Sequence, residues 1–157
     1  MPSGPPFTHA GPWPSVPETL TLSSRAEYSA RMNETERIAQ GKALRRTVLG
    51  DEYVDLHGAA PSKFQKAFAD FAAEHVWANV WIRPGLALRE RSIINLAILS
   101  TLGRWPEFET HVRGALNNGL TEDEIIEVIL HTAVYAGVPV AAEALRAAER
   151  AVNAYQK

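Results

Sequence analysis

LRERSIINLAILSTLGRWPEFETHVRGALNNG, residues 88–119, reads as two helices joined at one glycine. Leu88 to Leu102 is apolar almost all round, with Ile93, Ile94, Leu96, Ala97, Ile98 and Leu99 in close succession. A helix of that kind belongs in the middle of a bundle. Gly103 stops it, Pro106 suits the first turn of the next helix, and Asn117-Asn118-Gly119 ends that one. The junction puts Arg104, Glu107 and His111 at relative positions 0, 3 and 7, on one face once the second helix has formed. An arginine, a carboxylate and an imidazole at a helix start can hold an anion and move a proton.

Outward from this pair, helical signals continue in both directions. Residues 24–49 are rich in Ala, Arg, Glu and Leu, with Asn33 before Glu34 and Glu36 as an internal cap and Gly50 as a stop. Asp51 to Leu56 reads as a short helical turn. Pro61 and Ser62 open a helix on which Phe64, Phe68, Phe71, Ala72 and His75 recur at helical spacing. That helix ends before Arg83-Pro84-Gly85, because a residue preceding proline is pushed out of the α region. Thr121 to Glu124 is a capping box opening a helix through Tyr135. Gly137 and Pro139 precede a last Ala-rich helix to about Ala154. No segment alternates like a strand with hairpin signals, and neither a repeat nor a second domain is evident. The pattern predicts an all-α, single-domain helical bundle of about six to seven helices over residues 23–157.

Residues 1–22 read as a proline-rich extended arm. The first 17 residues hold six of the ten prolines, which excludes a helix or a central strand there. Such a segment is either a solvated tail or an arm that wraps a neighbouring subunit. Phe7, Trp13, Val16 and Leu20 suit the second use.

At 157 residues the chain is long enough to bury a real core. A formal charge of -2 gives no general attraction to nucleic acid or an anionic membrane. No apolar run approaches the roughly 18 residues that span a bilayer. Residues 1–24 lack the basic start and apolar segment of a secretory signal, so a soluble cytoplasmic protein is expected. With no cysteine there is neither a disulfide framework nor a thiol redox cycle.

Five arginines and no lysine lie between Trp77 and Arg113: Arg83, Arg89, Arg91, Arg104 and Arg113. Their planar forks grip carboxylates bidentately. Helix-end ion pairs are the ordinary use of any one of them. Arg83 differs, since Trp81-Ile82-Arg83-Pro84-Gly85 is a loop with a fixed backbone. His111 is the candidate for proton transfer, with Glu107 one turn earlier to orient it or raise its pKa. A second stripe, Glu124, Glu127, His131 and Tyr135, runs through a very apolar helix and either meets solvent or lines a pocket. The two Glu-x-x-x-His spacings, Glu107/His111 and Glu127/His131, raise a metal alternative. Helical di-metal sites use Glu-x-x-His, and residues 88–102 supply no acid beyond Glu90, so no metal is expected. Gly-rich phosphate loops, zinc spacings and nucleophile elbows are missing.

Trp81 to Pro139, WIRPGLALRERSIINLAILSTLGRWPEFETHVRGALNNGLTEDEIIEVILHTAVYAGVP, resembles the carboxymuconolactone decarboxylase family. Upstream, RRTVLGDEYVD, Arg45 to Asp55, is similar to its 4-carboxymuconolactone decarboxylase branch. The match covers roughly residues 35–152 and implies an alkylhydroperoxidase D-like fold. The dithiol members of that wider group carry a glutamate, a Cys-x-x-Cys pair and a histidine. Laid on this chain those positions are Ser92, Arg104, Glu107 and His111, and only the histidine matches. Peroxide reduction through a thiolate is thereby excluded.

The resemblance implies cofactor-free decarboxylation of a dicarboxylate lactone, 4-carboxymuconolactone, to β-ketoadipate enol-lactone in aromatic catabolism. On that reading Arg83 and Arg91 hold carboxylates, and Arg104 or His131 stabilises the dienolate oxygen. His111 delivers a proton with Glu107 orienting it, while Tyr135 and Trp81 shape the pocket. A decarboxylase or isomerase acting on another carboxylated unsaturated lactone, or a non-catalytic small-acid binding protein, are the alternatives. The resemblance also implies a homo-oligomer, a trimer or hexamer, and the apolar helix 88–102 and the arm offer surfaces for it.

Overall fold

The computed structural model describes residues 32–155, so the arm and the beginning of the expected 24–49 helix lie outside the described residues. Among the described residues there are seven α-helices and no strand. They are α1 (Glu34–Leu49), α2 (Asp51–Gly58), α3 (Lys63–Ala72), α4 (Leu88–Thr101), α5 (Trp105–Asn117), α6 (Glu122–Ala136) and α7 (Val138–Tyr155). A π-helical segment, Ala73–Trp81, continues α3 without a break.

The helix starts follow local chemistry. Asn33, Ser62 and Thr121 each close a capping box, accepting from the backbone of Glu36, Gln65 and Glu124 while those side chains reach back. The helix from Ser62 runs through the π-segment to Trp81, just short of Arg83-Pro84. Gly103 adopts a positive φ of 63°, which lets α4 turn sharply into α5.

Two apolar clusters hold the bundle. Leu96, Phe108, Val112, Leu120, Ile125 and Ile129 pack with Ala141, Ala144, Ala147 and Ala151 to join α4, α5, α6 and α7. Leu44, Val48 and Leu49 of α1 pack on Trp77 and Trp81 of the π-segment. There α1 approaches so closely that a Cβ on Gly41 would stand 2.6 Å from the Ala78 nitrogen. The π winding brings Ala73, Trp77, Ala78 and Trp81 to one buried side, at steps of four, one and three residues.

The expectation that α4 lies wholly inside is corrected. Ser92, Leu96 and Ser100 form its buried stripe, while Ile94, Ile98 and Leu102 are 42%, 49% and 63% exposed. The phenylalanine stripe of α3 is also uncovered, with Phe64 88%, Phe68 72% and Phe71 56% exposed. Helical periodicity marked both faces but not what covers them. Among the described residues no helix is long and apolar enough to cross a membrane.

Candidate active site

His111 sits at the end of the second turn of α5, facing α4 and the end of the π-segment. Its ring stacks with Trp81, centroids 6.0 Å apart and planes 17° from parallel. From α4, the Asn95 amide nitrogen lies 3.3 Å from Nδ1 and 3.5 Å from Nε2. Burial lowers the pKa of the imidazole to about 4, partly offset by the negative charge of Glu107. The ring is therefore neutral at physiological pH.

Asn95 was not among the residues singled out in the sequence. Its signal was available: it is the amide within SIINLAIL, an otherwise apolar stretch where a buried polar group needs a partner. Among the described residues the hydrogen-bond contact to the ring comes from Asn95. Glu107 is exposed and acts on the ring through its charge. Arg104 is exposed at the N-cap position of α5. Seven residues before His111, it stands about 10 Å away along the axis at 1.5 Å per residue. The shared face of Arg104, Glu107 and His111 thus spans from solvent to a half-buried ring.

The other arginines divide sharply. Arg89 forks onto Glu124 and also donates to the Gly119 carbonyl at 3.2 Å. That bond holds Glu124 down at about 2, with help from the Thr121 backbone. Arg89 is thus a structural tie between α4 and the start of α6. Arg91 has no such partner. Its terminal nitrogen donates to the Arg83 carbonyl at 2.8 Å, while its buried Nε has no hydrogen-bond partner among the described residues. Desolvation and the adjacent Arg83 charge both disfavour its cationic form, with partial compensation from Glu90. Arg91 and Asn95 are one turn apart on the same face of α4. The cationic Arg83–Arg91 corner therefore lies next to the Asn95–His111–Trp81 cluster.

His131 and Tyr135 do not line an enclosed pocket in the single chain. Both are exposed, Tyr135 at 79%, and their rings pack on each other at 5.2 Å. Ile125, Ile129 and Thr132 take the inward face of α6. Glu127 is exposed too, so the stripe meets solvent.

Across α5 from His111 a cleft of about 340 Å³ is lined by Tyr53, His57, Glu109, Thr110, Arg113 and Arg150, among others. Its polar groups are mostly tied up. Thr110 donates to the Pro106 carbonyl at 3.0 Å and accepts from the Tyr53 hydroxyl at 2.9 Å. Arg150 grips Glu109, and the Arg113 guanidinium lies between the Tyr53 and Tyr155 rings.

With this geometry in view, the comparisons with known proteins agree on one scaffold. The model of the carboxymuconolactone decarboxylase family matches residues 63–150, which include Trp81, both corner arginines, Asn95 and His111. The chain belongs to that family. It is 40% identical over 118 residues to a 4-carboxymuconolactone decarboxylase from Acinetobacter baylyi, covering 75% of this chain and 88% of that protein. It is also 40% identical over 116 residues to a nitrosuccinic acid decarboxylase from Metarhizium robertsii, covering 73% and 80%. Both relatives are decarboxylases, so the family assignment carries carboxy-lyase chemistry on an alkylhydroperoxidase D-like all-α fold.

Proposed function

We propose that this family decarboxylase removes carbon dioxide from a dicarboxylate whose own skeleton accepts the electrons, with 4-carboxymuconolactone as its substrate. The observation that carries the reading is the Arg83–Arg91 corner. The Arg91 guanidinium, its buried Nε unpaired, donates to the backbone carbonyl of Arg83 and feels that residue's positive charge, one turn from the Asn95 that meets a neutral imidazole. Neither arginine forms an ion pair among the described residues. A bound carboxylate would offset the desolvation of Arg91 and the adverse Arg83 charge beside it.

In the lactone the departing carboxylate is on the γ-carbon of an α,β-unsaturated carbonyl. When the bond to carbon dioxide breaks, its electron pair passes through the double bond onto the lactone oxygen. The resulting dienolate needs a pre-placed donor. His111 fits that task as a neutral N–H donor. Burial that keeps the ring uncharged down to about pH 4 disfavours the alternative of a proton stored there in advance. The α-carbon then takes one proton from solvent on the open side, where Glu107 and Arg104 are exposed. The chemistry needs no metal or covalent cofactor, because the conjugated lactone is the electron sink.

Nitrosuccinate, named for the second relative, is likewise a dicarboxylate with a built-in electron sink, its nitro group. It is the second substrate class to assay. Following each acid by ultraviolet absorbance and released carbon dioxide with the purified chain tests the proposal. Turnover of the lactone in preference to nitrosuccinate supports it, and silence on both refutes it.

Assembly belongs to the same proposal. The uncovered stripes on α3 and α4 suit burial between copies of this chain. Light scattering coupled to gel filtration reports whether a trimer or hexamer forms, and a monomer would dismiss that part.

A further inference from the structure

We propose that Asn95 is a positioning residue that fixes His111 as the tautomer with its proton on Nε2. The kinetic consequence rests on the decarboxylase reading above, whereas the tautomer itself does not.

The argument starts from hydrogen-bond polarity. The Asn95 amide nitrogen carries only donors, so the ring nitrogen it meets must offer a lone pair. Nδ1, at 3.3 Å, is the nearer of the two ring nitrogens, and Nε2 is at 3.5 Å. One amide hydrogen engages one ring nitrogen at a time. With Nδ1 accepting, the proton of a neutral imidazole resides on Nε2. An imidazolium would set an N–H of its own against the amide hydrogens, so the same contact opposes charging.

The surroundings agree. From the π-segment the ring faces Trp81 and from α4 it faces Asn95, neither of them charged. Arg91, one turn before Asn95 on α4, adds positive charge on that side. Glu107 on α5 is the charge that favours protonation, and burial outweighs it. Asn95 itself is anchored well. It extends from a helix whose neighbouring turns hold the buried Ser92, Leu96 and Ser100, and Ser92 accepts a 2.9 Å bond from Asn118, the C-cap residue of α5. The amide is therefore held on a rigid α4–α5 pair, as a group that aims another group should be.

In the reaction this arrangement leaves Nε2–H as the hydrogen-bond donor to the dienolate oxygen. A buried neutral imidazole acting as an electrophile of this kind is established chemistry in other enzymes. A ring free to exchange tautomers would present a lone pair to the oxyanion for part of the time, and that state is repulsive.

Nitrogen-15 NMR of histidine-labelled protein at pH 7 tests the assignment directly, with His111→Gln identifying its resonances among the five histidines. The expected spectrum has an unprotonated Nδ1 and a protonated Nε2 at residue 111. A protonated Nδ1 in the wild-type protein would overturn the proposal without any variant. Asn95→Leu should bring tautomer exchange and lower kcat roughly tenfold or more with KM little changed. The isosteric Asn95→Asp should accept from Nδ1–H, raise the ring pKa and move the acid limb of the pH profile towards neutrality. If both variants leave tautomer and titration unaltered, Asn95 has no positioning role. Should the lactone not be turned over at all, the spectra still decide the tautomer while the substrate reading fails by itself.

Discussion

The two faces of α5 use similar side chains for different ends. On one face Thr110, Tyr53, Glu109 and Arg150 pair with one another, and two tyrosine rings flank Arg113. Hydrogen bonds there join α2, α5 and α7. On the other face His111 stays neutral beside Asn95 and Trp81, next to an arginine whose buried Nε is unpaired. Satisfied polar groups hold a fold together, whereas polar groups buried without their full partners cost stability and are kept where a ligand completes them. The difference lies in how far each set is paired, not in residue type.

The largest effect that could break this contrast is kinetic. His111→Ala should lower kcat on the proposed lactone roughly 10²- to 10³-fold, the loss typical of one oxyanion donor. His111→Gln, which keeps an N–H, should retain part of the activity. Equal loss in both variants would point to an acid rather than a neutral donor. Next comes acid stability. The folded pKa of about 4 lies below the unfolded value near 6.5, so the unfolded chain binds more protons between those limits. The contribution of neutral His111 is complete above pH 6.5 and disappears as pH falls towards 4, up to about 3 kcal/mol in all. Urea midpoints measured across pH 4–7 should therefore fall less steeply in His111→Gln. Parallel slopes in both proteins would mean the ring is not buried as described.

Much of the fold was legible because its signals are local. Asn33, Ser62 and Thr121 act at their own helix starts, and Gly50, Gly103 and Gly137 mark turns by positive φ. The site was less legible because it depends on which faces meet. Arg89 and Arg91 differ by two positions, yet α4 turns one towards Glu124 and the other towards Arg83. Sequence spacing joined His111 to Glu107 on the same helix. The hydrogen-bond contact to the ring comes from Asn95, sixteen residues earlier on the neighbouring helix. The π winding that brings Trp81 over that ring has no spacing signature in the sequence either. The glycine that lets α1 lie against it, Gly41, is thirty-seven residues before Ala78 in the chain.

A smaller effect sharpens the contrast from the structural face. Tyr53→Phe removes the hydroxyl that donates to Thr110 but keeps the ring beside Arg113. Thr110 retains its own bond to Pro106, so no donor is stranded. The expected cost is about 1 kcal/mol of stability, the usual net value of one hydrogen bond. Because this face lies across α5 from the imidazole, kcat and KM should stay within twofold of the parent. Chemical denaturation and steady-state assays on the same preparation test both halves. A kinetic defect in Tyr53→Phe comparable with that of Asn95→Leu would mean that the two faces of α5 are not separate in function.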